Sequence, residues 1–86
     1  MTALINRSQF EAYLVASFTD LKIVRLPDIN NTQPYYCLQI LPTGVMEWKT
    51  LAHTRHRHQV RQHKTAEPCI KFLESHGIKQ CRIEWV

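Results

Sequence analysis

The sequence predicts a small single-domain α+β protein: an antiparallel sheet of three to five strands with two helices packed on one face, in the order α-β-β-β-(β)-α-β. Three observations predict it. Two segments repeat their apolar residues at helical spacing, the segments between and after them alternate apolar with polar residues, and none is the continuous apolar run of a buried parallel strand. The 86 residues make one domain, 1–86, because a chain of this length hides only about 60 to 65 % of its unfolded surface and has too little to divide between two cores.

Ser8 and Glu11 have the S-x-x-E spacing of a capping box, in which hydroxyl and carboxylate each satisfy a backbone N–H, so the first helix is expected from about Gln9. Phe10, Tyr13, Leu14 and Phe18 then fall on one stripe, which puts the helix end near Ser17 to Asp20 and the stripe in the core. Leu21–Leu26 is short, rich in β-branched residues and stopped by Pro27, the pattern of a strand. From Pro27 to Pro34, Asp28, Asn30, Asn31 and two prolines supply turn chemistry and predict a loop.

Tyr35–Leu41 and Val45–Ala52 flank Pro42-Thr43-Gly44, where Pro suits the second position of a turn and Gly accepts the positive φ of a bulged hairpin. In the first of these strands Tyr36, Leu38 and Ile40 share a face; in the second, Met46 and Trp48 share one with Thr50 and Ala52. Val60 is the one large apolar residue between Leu51 and Ile70, so periodicity leaves His58–His63 open as a further strand or an irregular stretch. Thr65 suits an N-cap, Glu67 the positive end of a helix dipole and Pro68 a first turn, predicting a second helix over about Ala66 to His76. Gly77 is placed as its C′ residue, with Ile78 to make the hydrophobic contact of a Schellman end. In the closing KQCRIEWV, Cys81, Ile83 and Trp85 alternate with Gln80, Arg82 and Glu84, a strand expected to turn its apolar side to the core.

Composition sets limits on function. A 44 % hydrophobic content with two Gly and four Pro fits a folded chain, neither disordered nor fibrous. No apolar run approaches the roughly 18 residues of a spanning helix and no leader pattern opens the chain, so a soluble cytoplasmic protein with no membrane partner is expected. Cys37, Cys69 and Cys81 are too few and too scattered for a disulfide framework; each sits in an apolar pattern and is expected reduced, as a packing residue.

Charge is segregated. The sixteen residues Lys49 to Lys64 hold five Lys/Arg, four of the five histidines and no carboxylate, while the rest of the chain holds six Lys/Arg against seven Asp/Glu, so the net +4 is +5 here and −1 elsewhere. Cations of one sign on one segment attract polyanions, because each phosphate contact releases counterions. On an extended backbone Arg55, Arg57, Gln59, Arg61 and His63 share a face at about 6 to 7 Å intervals, near the phosphate repeat of one strand. The expected site is therefore Lys49, Arg55, Arg57, Arg61 and Lys64, with His56, His58 and His63 as secondary contacts and Tyr35, expected to face outward, as a stacking platform. Trp48 and Trp85 are expected in the core.

The expected function is a small non-enzymatic regulatory or accessory protein that binds DNA or RNA. The alternative is a protein-interaction module, an adaptor or inhibitor whose basic face meets an acidic protein partner. A small ribonuclease using the histidines as acid and base is less favoured, because His, Lys and Arg as neighbours are a weak catalytic signal, and no catalytic residue is assigned. His53, His56, His58 and His63 match no common zinc spacing, so neither metal nor cofactor is expected. At the start of the second helix Glu67 and Pro68 argue against a phosphate site. A homodimer is open through an exposed edge, either Tyr35–Leu41 or Gln80–Trp85.

Overall fold

A computed structural model describes residues 3–26, 34–52 and 61–85. Its elements are β1 (Ala3–Ile5), α1 (Arg7–Ala16), β2 (Phe18–Leu26), β3 (Tyr35–Pro42), β4 (Lys49–Leu51), α2 (Glu67–Glu74) and β5 (Arg82–Trp85). The strands form one sheet in the order β1-β4-β3-β2-β5, so the predicted α+β class with two helices stands. β3 is antiparallel to both its neighbours, while β1 joins β4 and β5 joins β2 in parallel. The antiparallel expectation thus holds at the centre and fails at both edges. Four strands point one way and β3 alone runs against them, because the chain before α1 and the chain after α2 each return across a helix.

Alternation fixes the two faces of the sheet. Leu21 and Ile23 of β2, Leu38 and Ile40 of β3, Leu51 of β4 and Ile5 of β1 turn to the helices and pack with Phe10, Cys69 and Leu73 in one buried cluster. Phe10 meets Phe72 edge to face at 6.0 Å, which brings α1 and α2 together over the same face. On the other face Gln39 donates to the Thr50 hydroxyl at 3.2 Å, beside buried Val24 and Cys37.

The first cap lies two residues earlier than predicted. Asn6 is the N-cap: its side chain accepts from the Gln9 N–H at 2.8 Å, and the Gln9 side chain accepts from the Asn6 N–H at 3.0 Å. Glu11, predicted for that role, instead meets His76 at 2.6 Å and Arg7 at 3.4 Å. The helix stops at Ala16, and Phe18 opens β2 with a bulge before Asp20. The turn after β3 closes as expected, with Val45 N–H donating to Pro42 C=O at 3.2 Å and Gly44 at φ +80°. β4 is shorter than predicted, and Met46 stands in solvent.

At α2 no side chain caps the start; Ala66 holds the N-cap position that Thr65 was expected to fill. Its end is a Schellman motif: Ile78 N–H donates to Leu73 C=O and Gly77 N–H to Glu74 C=O, both at 3.0 Å, with Gly77 at φ +79° and Ile78 against the core. β5 begins at Arg82. Cys81 packs on the core cluster, but Trp85 is 73 % exposed and Ile83 43 %. The expectation that Trp85 is buried fails because β5 is an edge strand and α2 does not reach over it. All three cysteines are free thiols. Among the described residues no helix is long and apolar enough to cross a membrane.

Candidate nucleic-acid interface

The basic segment enters and leaves the sheet at one place. Lys49, Thr50 and Leu51 form β4, with Lys49 opposite Ile40 and Thr50 opposite Gln39 of β3. Farther along β3, His63 stands opposite Tyr36, and the two exchange backbone hydrogen bonds at 2.8 and 2.9 Å. The Arg61 N–H donates to Leu51 C=O at 3.0 Å, closing the two limbs on each other. A β4 of unbroken register would reach Tyr36 ten residues earlier in the chain than His63 does. The segment is therefore one strand position with ten residues inserted, both ends tied to β3 and β4.

The predicted site residues separate accordingly. Arg55, His56, Arg57 and His58 lie outside the described residues, as does His53. Lys64 is exposed, and Arg61 and His63 are half-buried. Lys49 makes a 3.0 Å ion pair with Glu47, and its side chain is only 20 % exposed. The segment lacks carboxylates in sequence, yet one from just outside it offsets this charge in space. Tyr35, expected to face outward, is half-buried, while Tyr36 packs against the core on the helix side.

Burial, then the adjacent Arg61 charge, pushes the His63 pKa below the usual histidine value. His63 is thus harder to protonate than an ordinary histidine. His76, the histidine outside this segment, behaves oppositely: its hydrogen bonds to the Phe72 carbonyl and to Glu11 raise its pKa, and the same contact with His76 lowers that of Glu11. Burial also raises the thiols, Cys37 to about 11 and Cys69 to about 12, which removes both as nucleophiles near neutral pH.

A second set of cations was not singled out in the sequence. On the sheet face away from the helices, Lys22 lies 4.2 Å and Arg82 5.8 Å from the Trp48 ring centre, so Trp48 is half-buried under two cations and not in the apolar core. Lys22 also pairs with Glu84 at 3.3 Å, and Arg82 with Asp20 at 2.7 Å. Two cations meet two carboxylates, leaving no surplus charge to draw a polyanion. The alternation of Arg82 and Glu84 with apolar residues marked a polar face on the last strand; Lys22 and the stacking partner, on other strands, had no local signal. Among the described residues no three His, Cys, Asp or Glu side chains gather as a metal site. Compared with protein-family models, curated proteins and solved structures, the chain matches none.

Proposed function

We propose that this protein is a small regulatory or accessory protein that binds nucleic acid through the segment 49–64, and does so without catalysing a reaction. The segregation of charge carries the reading: +5 in sixteen residues against −1 in the remainder. The sheet gives it support. The inserted stretch starts and ends at hydrogen-bonded positions of β3 and β4, so the cations it carries are delivered from a fixed base. The other cationic cluster, on Trp48, is neutralised by Asp20 and Glu84.

Arg55, Arg57, Arg61 and Lys64 are the phosphate contacts in this reading, with Lys49 contributing less because Glu47 holds it. Fluorescence anisotropy with a short DNA duplex and a single-stranded RNA at low salt and pH 6 tests it. Binding that falls roughly a hundredfold between 50 and 200 mM salt, and that is lost in the R55A/R57A/R61A variant, is the expected result. Absence of binding to either nucleic acid sinks the reading, as does capture by the wild type of an acidic protein that the triple variant loses while nucleic-acid binding is unaffected.

A further inference from the structure

We propose that β5 joins two copies of this chain, edge to edge and antiparallel, about a two-fold axis through Ile83. β3, one of the two edges open from sequence alone, is covered on both sides, which leaves β1 and β5 as the edges of the sheet among the described residues. Edge strands that must stay single are ordinarily blunted by shortness, by charge, by proline or by a bulge. β5 is four residues long and its two charges, Arg82 and Glu84, are of opposite sign; it has no lysine, proline or bulge, and leaves Ile83 43 % and Trp85 73 % exposed. Beside it a groove of about 510 Å³ runs between α2 and the edge, lined by Ile23, Ile70, Leu73, Ile78, Cys81 and Ile83.

Charge complementarity names the occupant. A two-fold axis perpendicular to the sheet keeps the helices of both copies on one side and sets each β5 residue against one of the same face. With Ile83 on the axis, Arg82 lies opposite Glu84 of the second copy, twice, and Ile83 meets its own image. Shifting the centre to a neighbouring residue sets Arg82 against Arg82 or Glu84 against Glu84, which opposes like charges. In the Ile83 register Trp85 lies opposite Cys81 of the second copy. Cys81 is a wall of the groove, so the exposed indole of each chain is delivered to the apolar groove of the other. Arg82 and Glu84 remain half-exposed although they already pair with Asp20 and Lys22, so the new contacts extend an existing network and strand no charge.

Sedimentation equilibrium on the full chain, up to roughly 200 µM, is expected to show a mass approaching twice 10.2 kDa. R82E places carboxylate against carboxylate in both pairs and is expected to raise the dissociation constant at least tenfold; E84R does the same with two guanidinium groups. Combining the two as R82E/E84R restores opposite charges and is expected to restore the dimer, a rescue that misfolding cannot imitate. Independently, Ile83→Cys is expected to form a covalent dimer on oxidation, while Val15→Cys on the exposed side of α1 and the wild type do not. A wild type that stays monomeric, a dimer indifferent to R82E, or folded Ile83→Cys that fails to cross-link each overturns the proposal.

Discussion

Deleting residues 53–62, which joins Ala52 directly to His63, probes the sheet register and the seat of binding at once. The β3/β4 register reaches Tyr36 ten residues before His63 does, so the shortened chain brings His63 to Tyr36 along a continuous β4. Ten is even, and the inward and outward alternation is preserved. Closing a ten-residue loop costs about 2 kcal/mol of chain entropy, which the deletion removes. The lost Arg61 to Leu51 backbone bond costs about 1 kcal/mol. Urea unfolding is therefore expected to show unchanged stability or a gain of about 1 kcal/mol. Binding behaves differently, because Arg55, Arg57 and Arg61 leave with the segment. Phosphate contacts from Arg55, Arg57, Arg61 and Lys64 would give a salt slope of about −3.6 on duplex DNA, and the one that remains, Lys64, gives about −0.9. Between 50 and 200 mM salt the wild type is expected to lose affinity roughly a hundredfold and the deletion variant about three- to fourfold. A variant that fails to fold refutes the register, and a folded variant with an unchanged slope refutes the site.

Phe10 is fully buried between the sheet and Phe72, so Phe10→Ala is expected to destabilise by about 3 to 5 kcal/mol in urea melts. The raised pKa of His76 makes its contribution full below 6.5 and lost as pH rises through the folded value, whereas the lowered pKa of Glu11 makes its contribution full above 4.5 and lost on acidification. The melting temperature of the wild type relative to His76→Gln is therefore expected to be most favourable between about pH 4.5 and 6.5 and to decline above it. For His63 the sign reverses, since its lowered pKa costs stability as pH falls below 6.5; His63→Gln is expected to lessen acid destabilisation. Gly77→Ala keeps free space around the new methyl but forces φ +79° on a side chain, with an expected cost of about 1 kcal/mol by thermal unfolding. In a thiol assay at pH 8, Cys81 is expected to react first, with Cys37 and Cys69 following only on unfolding, because both are fully buried.

Elements built from local chemistry were legible. The Pro42-Thr43-Gly44 turn, the alternation in β2 and β3 and the Gly77 end of α2 all depend on residues within a few positions of each other. What escaped depended on distant partners. β1 is three residues long, too short to show a period, and exists because Ile5 lies beside Leu51. The cap formed by Asn6 with Gln9 went unread in favour of Ser8 with Glu11, whose carboxylate has its partner 65 residues away in His76. Alternation told which side of β5 Trp85 occupies, but not that α2 leaves that side uncovered. The charge of segment 49–64 was plain from composition, whereas its nature as an insertion within one strand position required the bridge from His63 to Tyr36. The Arg55, Arg57 and Arg61 comb continues as a proposal through its one described member, Arg61.

The parallel edges also divide the chain in time. β2, β3 and β4 follow one another and can zip together through short connections, but β1 meets β4 across 46 residues and β5 meets β2 across 60, as the pairs Ala3 with Lys49 and Lys22 with Arg82 measure. Such closures are slow and come after nearby pairings have formed. The meander is expected to consolidate first, with the two terminal strands clipping on late and opening most often afterwards. Hydrogen exchange reads this directly: the amides of β3 should be the slowest, and those of β1 and β5 the fastest in dilute protein. Slowing of β5 alone as the protein is concentrated would show the late strand waiting for a second copy of itself.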